Sequence, residues 1–221
     1  MKTILIALLF IVPLLGRAQF SFEPNSDTTI FDTPQDTSAI FQYKFIVASA
    51  WHFSSYLELT YNQDSTWSYS RTVISNIDSK RIELPPIDPP VNVDKLWKEL
   101  INVEFLNLKT EDEITYIVTK DGKYVELPFE KYQMMGATDM SNYVSEFYSK
   151  LGIRTIMHYA PIEMMSKLHQ SDQTWYVPEL YKATFCYTLI QNKFHFTDYR
   201  NAFAEYFKSI NEDKSKRKKR R

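Results

Sequence analysis

Alternation of apolar and polar positions is clearest between Glu113 and Phe129, where EITYIVTKDGKYVELPF sets Asp121-Gly122 between two strand-like runs. Asp-Gly supplies the positive φ angles of a two-residue turn, so the pattern predicts a hairpin of fixed register. Val118 then faces Val125, Tyr116 faces Leu127 and Ile114 faces Phe129 on the core side, with Thr119 beside Tyr124 and Ile117 beside Glu126 on the wetter side. A second alternating pair spans residues 56–61 and 66–74. A connection with an odd number of residues aligns Tyr61 with Trp67 and Leu59 with Tyr69, whereas a two-residue loop wastes the pattern.

Residues 40–50, IFQYKFIVASA, are apolar on both faces and predict a central strand. Residues 19–38 are polar, with two prolines and scattered Phe and Ile, and read as an irregular leader with a short edge strand around Thr29 to Phe31. PPIDPP at 85–90 holds four prolines in six residues, which makes a stiff extended connector. Such a segment also suits an aromatic groove on a partner.

Helical spacing takes over afterwards. Val93, Leu96, Trp97, Leu100 and Ile101 mark an amphipathic helix capped by Asn92 and ending near Glu104. Asp139 or Ser141 is expected to cap a second helix carrying Met140, Val144, Phe147 and Leu151, with Gly152 as a left-handed C-cap and residues 153–159 as a further strand. Pro161 and Pro178 occupy first-turn positions of two more helices, the second carrying Ala183, Tyr187, Ile190 and Phe194. Thr197 is the expected cap of a last helix with Tyr199, Phe203, Tyr206 and Ile210. The fold class read from this order is α+β: an antiparallel sheet built from two hairpins in the first half, packed on amphipathic helices, with a mostly helical C-terminal third.

Composition locates the chain more than it identifies it. Lys2, the apolar stretch from Ile4 to Leu15 and the small residues Gly16 and Ala18 give the layout of a secretory signal over residues 1–18, cut after Ala18. The apolar stretch falls short of the roughly 20 residues of a spanning helix, so an N-terminal membrane anchor is the alternative. Residues 39–211 are then one α+β domain, and 212–221 a disordered basic tail. Periplasmic or extracellular residence is expected. Hydrophobic residues at 44% and aromatics at 15% are enough to fill a core, while only four glycines argue against glycine-rich phosphate loops. A single cysteine, Cys186, excludes an internal disulfide and sits at a buried-looking helical position.

Candidate chemistry is sparse. His52, His158, His169 and His195 stand far apart with no HxH or HExxH spacing, so no metal or cofactor is expected. His158, next to Tyr159 and just before the Pro161 helix, best fits a pocket. Neither a GxSxG elbow nor an informative SxxK spacing is present, so no catalytic residue is assigned. The acidic run Glu111-Asp112-Glu113 reads as a solvated loop ahead of a strand. Trp97 belongs on the apolar stripe of its helix, whereas Trp175, with Tyr176 in the polar stretch SDQTWYVPEL, is the best surface aromatic.

Charge changes the picture at the C-terminus. KSKRKKRR carries seven positive charges: Lys214, Lys216, Arg217, Lys218, Lys219, Arg220 and Arg221. With these, Lys2 and Arg17 set aside, residues 19–213 hold 17 Lys and Arg against 27 Asp and Glu, a net charge of −10. An acidic body with a basic end suits an anionic surface, either membrane headgroups or lipopolysaccharide phosphates. The tail lacks the interleaved aromatics of a nucleic-acid groove, so nucleic acid is not the expected partner. Three functions follow as expectations. The first is an exported, non-enzymatic binding or envelope-associated protein. The second is a periplasmic hydrolase with a pocket near His158, and the third an inhibitor that grips a protein partner through the Trp175 loop.

Overall fold

Strand β1 (Phe41–Ala48) lies inside a six-stranded antiparallel sheet with β2 (Phe53–Tyr61), β3 (Trp67–Ser75), β4 (Arg81–Glu83), β7 (Asn142–Ser149) and β8 (Gly152–Tyr159). The order across the sheet is β4-β3-β2-β1-β7-β8. The computed structural model describes residues 20–29, 31, 38–49, 52–127, 141–170 and 174–219, the side chains of 170 and 213–219 excepted. The proposed signal, Trp51, Phe129, Asp139, Met140, Arg220 and Arg221 lie outside the described residues. A smaller sheet joins β5 (Tyr116–Lys120) to β6 (Lys123–Leu127) and β9 (Trp175–Tyr176). Among the described residues four α-helices complete the α+β fold: α1 (Val93–Asn102), α2 (Pro161–Gln170), α3 (Pro178–Lys193) and α4 (Phe196–Lys219).

The pairings follow the alternation of the sequence. Val118 faces Val125 and Tyr116 faces Leu127, with Asp121 and Gly122 at φ 51° and 72° in the turn. Tyr61 meets Trp67 and Leu59 meets Tyr69 across an odd connection. The Asn92 side chain caps α1 by accepting the Lys95 N–H at 2.9 Å. The two hairpins enter different sheets. β5–β6 lies over α2 and the start of α3, where Met164, Leu168 and Leu180 bury Tyr116 and Val118.

The expected second helix is strand β7. Val144, Phe147 and Leu151 recur at helical steps, yet Tyr143, Ser145 and Phe147 face the core while Val144, Glu146 and Tyr148 face the other side, all six residues buried. A strand buried on both faces shows no polar alternation, so the stray helical spacing dominates a reading of sequence alone. Eight residues of β7 pair with β1 and the same eight with β8. Gly152 therefore closes a hairpin, at φ +129°, and ends no helix.

The core sits between this sheet and the helices. Phe41, Tyr43 and Phe45 project from β1 onto Trp97, Phe105, Phe147 and Tyr187, with ring centroids 5.0–5.3 Å apart in the closest pairs. Phe20 and Phe22 of the leader enter the same cluster. The leader is thus integral to the fold. Thr29 and Phe31 are not in a strand, and among the described residues of the leader the one bridge is Ser26 with Ile153. Asn25 acts as a strand surrogate, its side-chain amide donating to Thr155 O at 2.8 Å and accepting from Thr155 N at 2.7 Å.

The last helix begins one residue before the expected Thr197 cap, after His195 at φ 48°. It continues as backbone helix to Lys219, where an extended tail was expected. Lys and Arg are good helix formers, and positive charge near a helix C-terminus is favourable to the macrodipole.

Candidate functional site

Three places hold the chemistry of the molecule. One is a groove of about 580 Å³ beside β3, lined among others by Trp67, Ser68, Tyr69, Ser70, Pro86 and Pro90. Its polar rim includes Glu58, Arg81 and Glu83, and Lys44 lies at its base. Lys44 is buried on the sheet face opposite the helices, its pKa lowered by desolvation and supported against that by Glu58 and Glu146. Glu146, at 0% exposure, accepts from the hydroxyls of Thr29 at 2.9 Å and Thr155 at 3.3 Å, and from Tyr148. The leader thereby roofs a charged layer that would otherwise face water.

Arg71 closes the end of the groove. At 4% exposure it donates to Phe194 O at 3.0 Å, to Asp198 at 3.1 Å and to Pro85 O at 2.6 Å, while its Nε has no partner. One side chain thus ties β3 to the proline connector, the end of α3 and the start of α4. That connector docks on its own chain. Ile87 donates its N–H to the Tyr69 hydroxyl at 3.1 Å and is buried.

His158 belongs to a second place, inside the core. The ring is 2% exposed and its Nδ1 lies 2.8 Å from the Tyr187 hydroxyl. Burial raises the Tyr187 pKa, so Tyr187 stays protonated, donates, and leaves Nδ1 as the acceptor. Nε2 has no hydrogen-bond partner of normal geometry, and only a weak contact with the Lys109 carbonyl opposes the burial that depresses the His158 pKa to about 4. Tyr43 and Ser145 meet nearby, their hydroxyls 3.1 Å apart. His158 lines neither the β3 groove nor a smaller one beside Pro89 and His195.

Glu111 is the residue that the sequence reading placed in solvent. It is 7% exposed and accepts from the Tyr116 hydroxyl at 2.8 Å and the Tyr159 N–H at 2.7 Å. Burial raises its pKa against both bonds. The capping of its short helical turn (Glu111–Glu113) by Glu113, which accepts the Thr110 N–H at 2.9 Å, points Glu111 inward. Cys186 is buried as expected, and desolvation pushes its thiol up to about 12, so it stays protonated.

Trp175 corrects the surface expectation. It pairs with Val118 in β9 and is 8% exposed, packed into the smaller core. Tyr176, one residue on, points the other way and is 59% exposed. The stretch is locally polar, and only the pairing of β9 with β5 decides which aromatic is covered.

The basic end is the third place. Its backbone prolongs α4, whose first half is fixed to the sheet by buried Tyr199 and Phe203 around Val73. The Tyr199 hydroxyl donates to Tyr56 O at 3.2 Å, and that of Tyr206 to Asp78. Among the described residues no three His, Cys, Asp or Glu side chains converge, and no helix is long and apolar enough to cross a membrane. Comparison with known protein families, curated proteins and solved structures finds no match.

Proposed function

We propose that this protein is an exported, non-enzymatic binding module held against an anionic surface by the basic end of α4. The carrying observation is that the basic run prolongs a 24-residue helix whose base is anchored in the body. The net charge of −10 on residues 19–213 would attract a loose basic tail back onto the body, and a backbone that stays helical to Lys219 opposes that folding back. Each charge near an anionic membrane contributes about 1 kcal/mol, so seven are enough for salt-sensitive attachment. Export is supported by the signal-like N-terminus and by Phe20, the second residue after the proposed cut, which already belongs to the core. The binding reading is supported by where accessibility and chemistry separate. The titratable groups most shifted by burial, among them His158, Cys186 and Tyr187, are in the core, while the open groove offers hydroxyls, aromatics and paired charges.

Flotation with vesicles containing anionic phospholipid, at low and high salt, tests the surface role. The full chain is expected to bind at low salt and release at high salt, and a chain lacking residues 214–221 to stay unbound. Equal binding by both removes the role. Lipopolysaccharide in place of phospholipid distinguishes the two anionic surfaces. N-terminal sequencing of the secreted chain is expected to begin at Gln19.

A further inference from the structure

Among the described residues, one edge of the main sheet is covered and the other is open over part of its length. Along β8, Asn25 and Ser26 donate their N–H groups to Ile153 O, the Asn25 side chain satisfies both backbone groups of Thr155, and Glu111 takes the Tyr159 N–H. This is how an edge is protected from pairing with another chain. On β3 the outer partner is short. β2 pairs with all nine residues of β3, but β4 covers only residues 72–74, and the last ladder bond is Leu84 N–H to Arg71 O at 2.9 Å. Pro85 and Pro86 follow, with no N–H to donate, so the ladder stops there. The bonds of Arg71 to Pro85 O and of Ile87 to Tyr69 then draw the connector toward the helix side.

Among the described residues no strand lies beside residues 67–70 on this side. Arg71 and Val73 direct their backbone groups toward β4, so by the two-residue period Trp67 and Tyr69 direct theirs into the same lane, about 14 Å long. The 580 Å³ groove adjoins this lane: Trp67, Ser68, Tyr69 and Ser70 line it together with Lys44, Tyr56 and Glu58 of the inner strands, so it extends from β3 over its neighbours in the sheet.

We propose that this lane docks an extended segment of a partner protein, apolar at alternate residues and neutral or basic between them. The segment pairs antiparallel with β3, as every strand of this sheet pairs with its neighbour. Its apolar side chains lie against Trp67, Tyr69, Pro86 and Pro90, and the residues between them against Ser68 and Ser70 under the rim of Glu58 and Glu83. The charge of −10 on residues 19–213 favours a neutral or basic segment and opposes a second copy of the same body. A second copy also fits poorly by shape. Pairing β3 with itself drives the turn at residues 62–66 of one copy into the lane that β4 holds in the other. The proposal gives the binding reading above a partner class and makes no use of the basic end.

The probe is the hexapeptide Ac-Val-Lys-Val-Thr-Val-Lys-amide, titrated into the full chain and followed by backbone amide spectra and hydrogen exchange. Shifts centred on Trp67 and Tyr69, with exchange of those two amides slowed at least tenfold, are expected. Methylating the valine amides, which face β3, should abolish binding, and methylating the lysine and threonine amides should not. The exposed pair Ser68→Lys and Ser70→Lys should weaken binding about tenfold by setting like charges opposite one another. No binding at millimolar peptide, indifference to which amides are methylated, or a dimer formed through residues 67–70 would overturn the proposal. A chain lacking residues 214–221 should bind the peptide as the full chain does, so failure in the vesicle assay and failure here are separable.

Discussion

Arg71 carries a permanent charge into a site that is 4% exposed, and three acceptors on three different segments share its guanidinium. Removing one partner of a buried charge network leaves the others desolvated and unpaired. Arg71→Ala is expected to cost about 3 kcal/mol in urea unfolding, with Arg71→Lys recovering only part because lysine cannot fork to three acceptors. His158 gives a pH signature. Its folded pKa of about 4 lies below the ordinary 6.5, so the unfolded chain binds more protons between those values. The neutral ring therefore contributes nothing to acid sensitivity above about pH 6.5, and stability falls as pH drops from there toward 4, by up to about 3 kcal/mol. Glu111, shifted upward by burial, acts with the opposite sign, losing stability as pH rises through its folded pKa. The difference between the protein and its His158→Gln variant isolates the histidine. A loss of acid sensitivity between pH 6.5 and 4 in the variant is the expected result.

At the scale of elements, the turns differ in how tightly they depend on glycine. Gly122 has φ +72° with open space where a Cβ would go, while Gly152 has φ +129° and would bring a Cβ to 3.1 Å from the Pro24 ring. Gly122→Ala is expected to cost about 1 kcal/mol, and Gly152→Ala more, because the strap residue Pro24 must also move. Thermal melts of the two variants check the order. The β5–β6 register was legible residue by residue, since Asp121-Gly122 fixes the turn and apolar residues alternate with polar ones, although only the β5 side of the apolar face is buried and Val125 of β6 is exposed. β7 was not legible. Its pattern is set by neighbours on both sides, β1 and β8, more than 80 residues away in one case and adjacent in the other. β9 escaped notice for a similar reason: two residues carry no period, and only Val118 and Ile117 opposite them make a strand of Trp175 and Tyr176.

Across the whole molecule, the leader is the part whose role depends most on distance. Phe22 packs on Phe41 and Phe147, 6.5 and 6.2 Å away between ring centroids, and Phe20 stacks on Phe41 at 4.6 Å. Phe22→Ala is expected to cost about 3 kcal/mol in chemical denaturation, as a core truncation does and as a change in a loose arm does not. With a single cysteine the chain can form no internal disulfide and must hold itself together by burial, for which fifteen Phe and fifteen Tyr supply the area. The sequence by itself determined what local chemistry can encode: the Asp121-Gly122 turn, the odd loop that sets Tyr61 on Trp67, the Asn92 cap, the proline-led helices, the lone buried cysteine and the uneven charge. These depend on φ preferences, two-fold or 3.6-fold periods and counts of charge, all readable within a few residues. Tertiary structure alone decided that β7 is a strand, that Glu111, His158 and Trp175 are covered while Tyr176 is bare, and that, among the described residues, the leader and Glu111 cover the β8 edge while no strand lies beside residues 67–70. Each of those outcomes depends on which distant surface is laid against a residue, and a side chain's burial is a property of that pairing rather than of the residue itself.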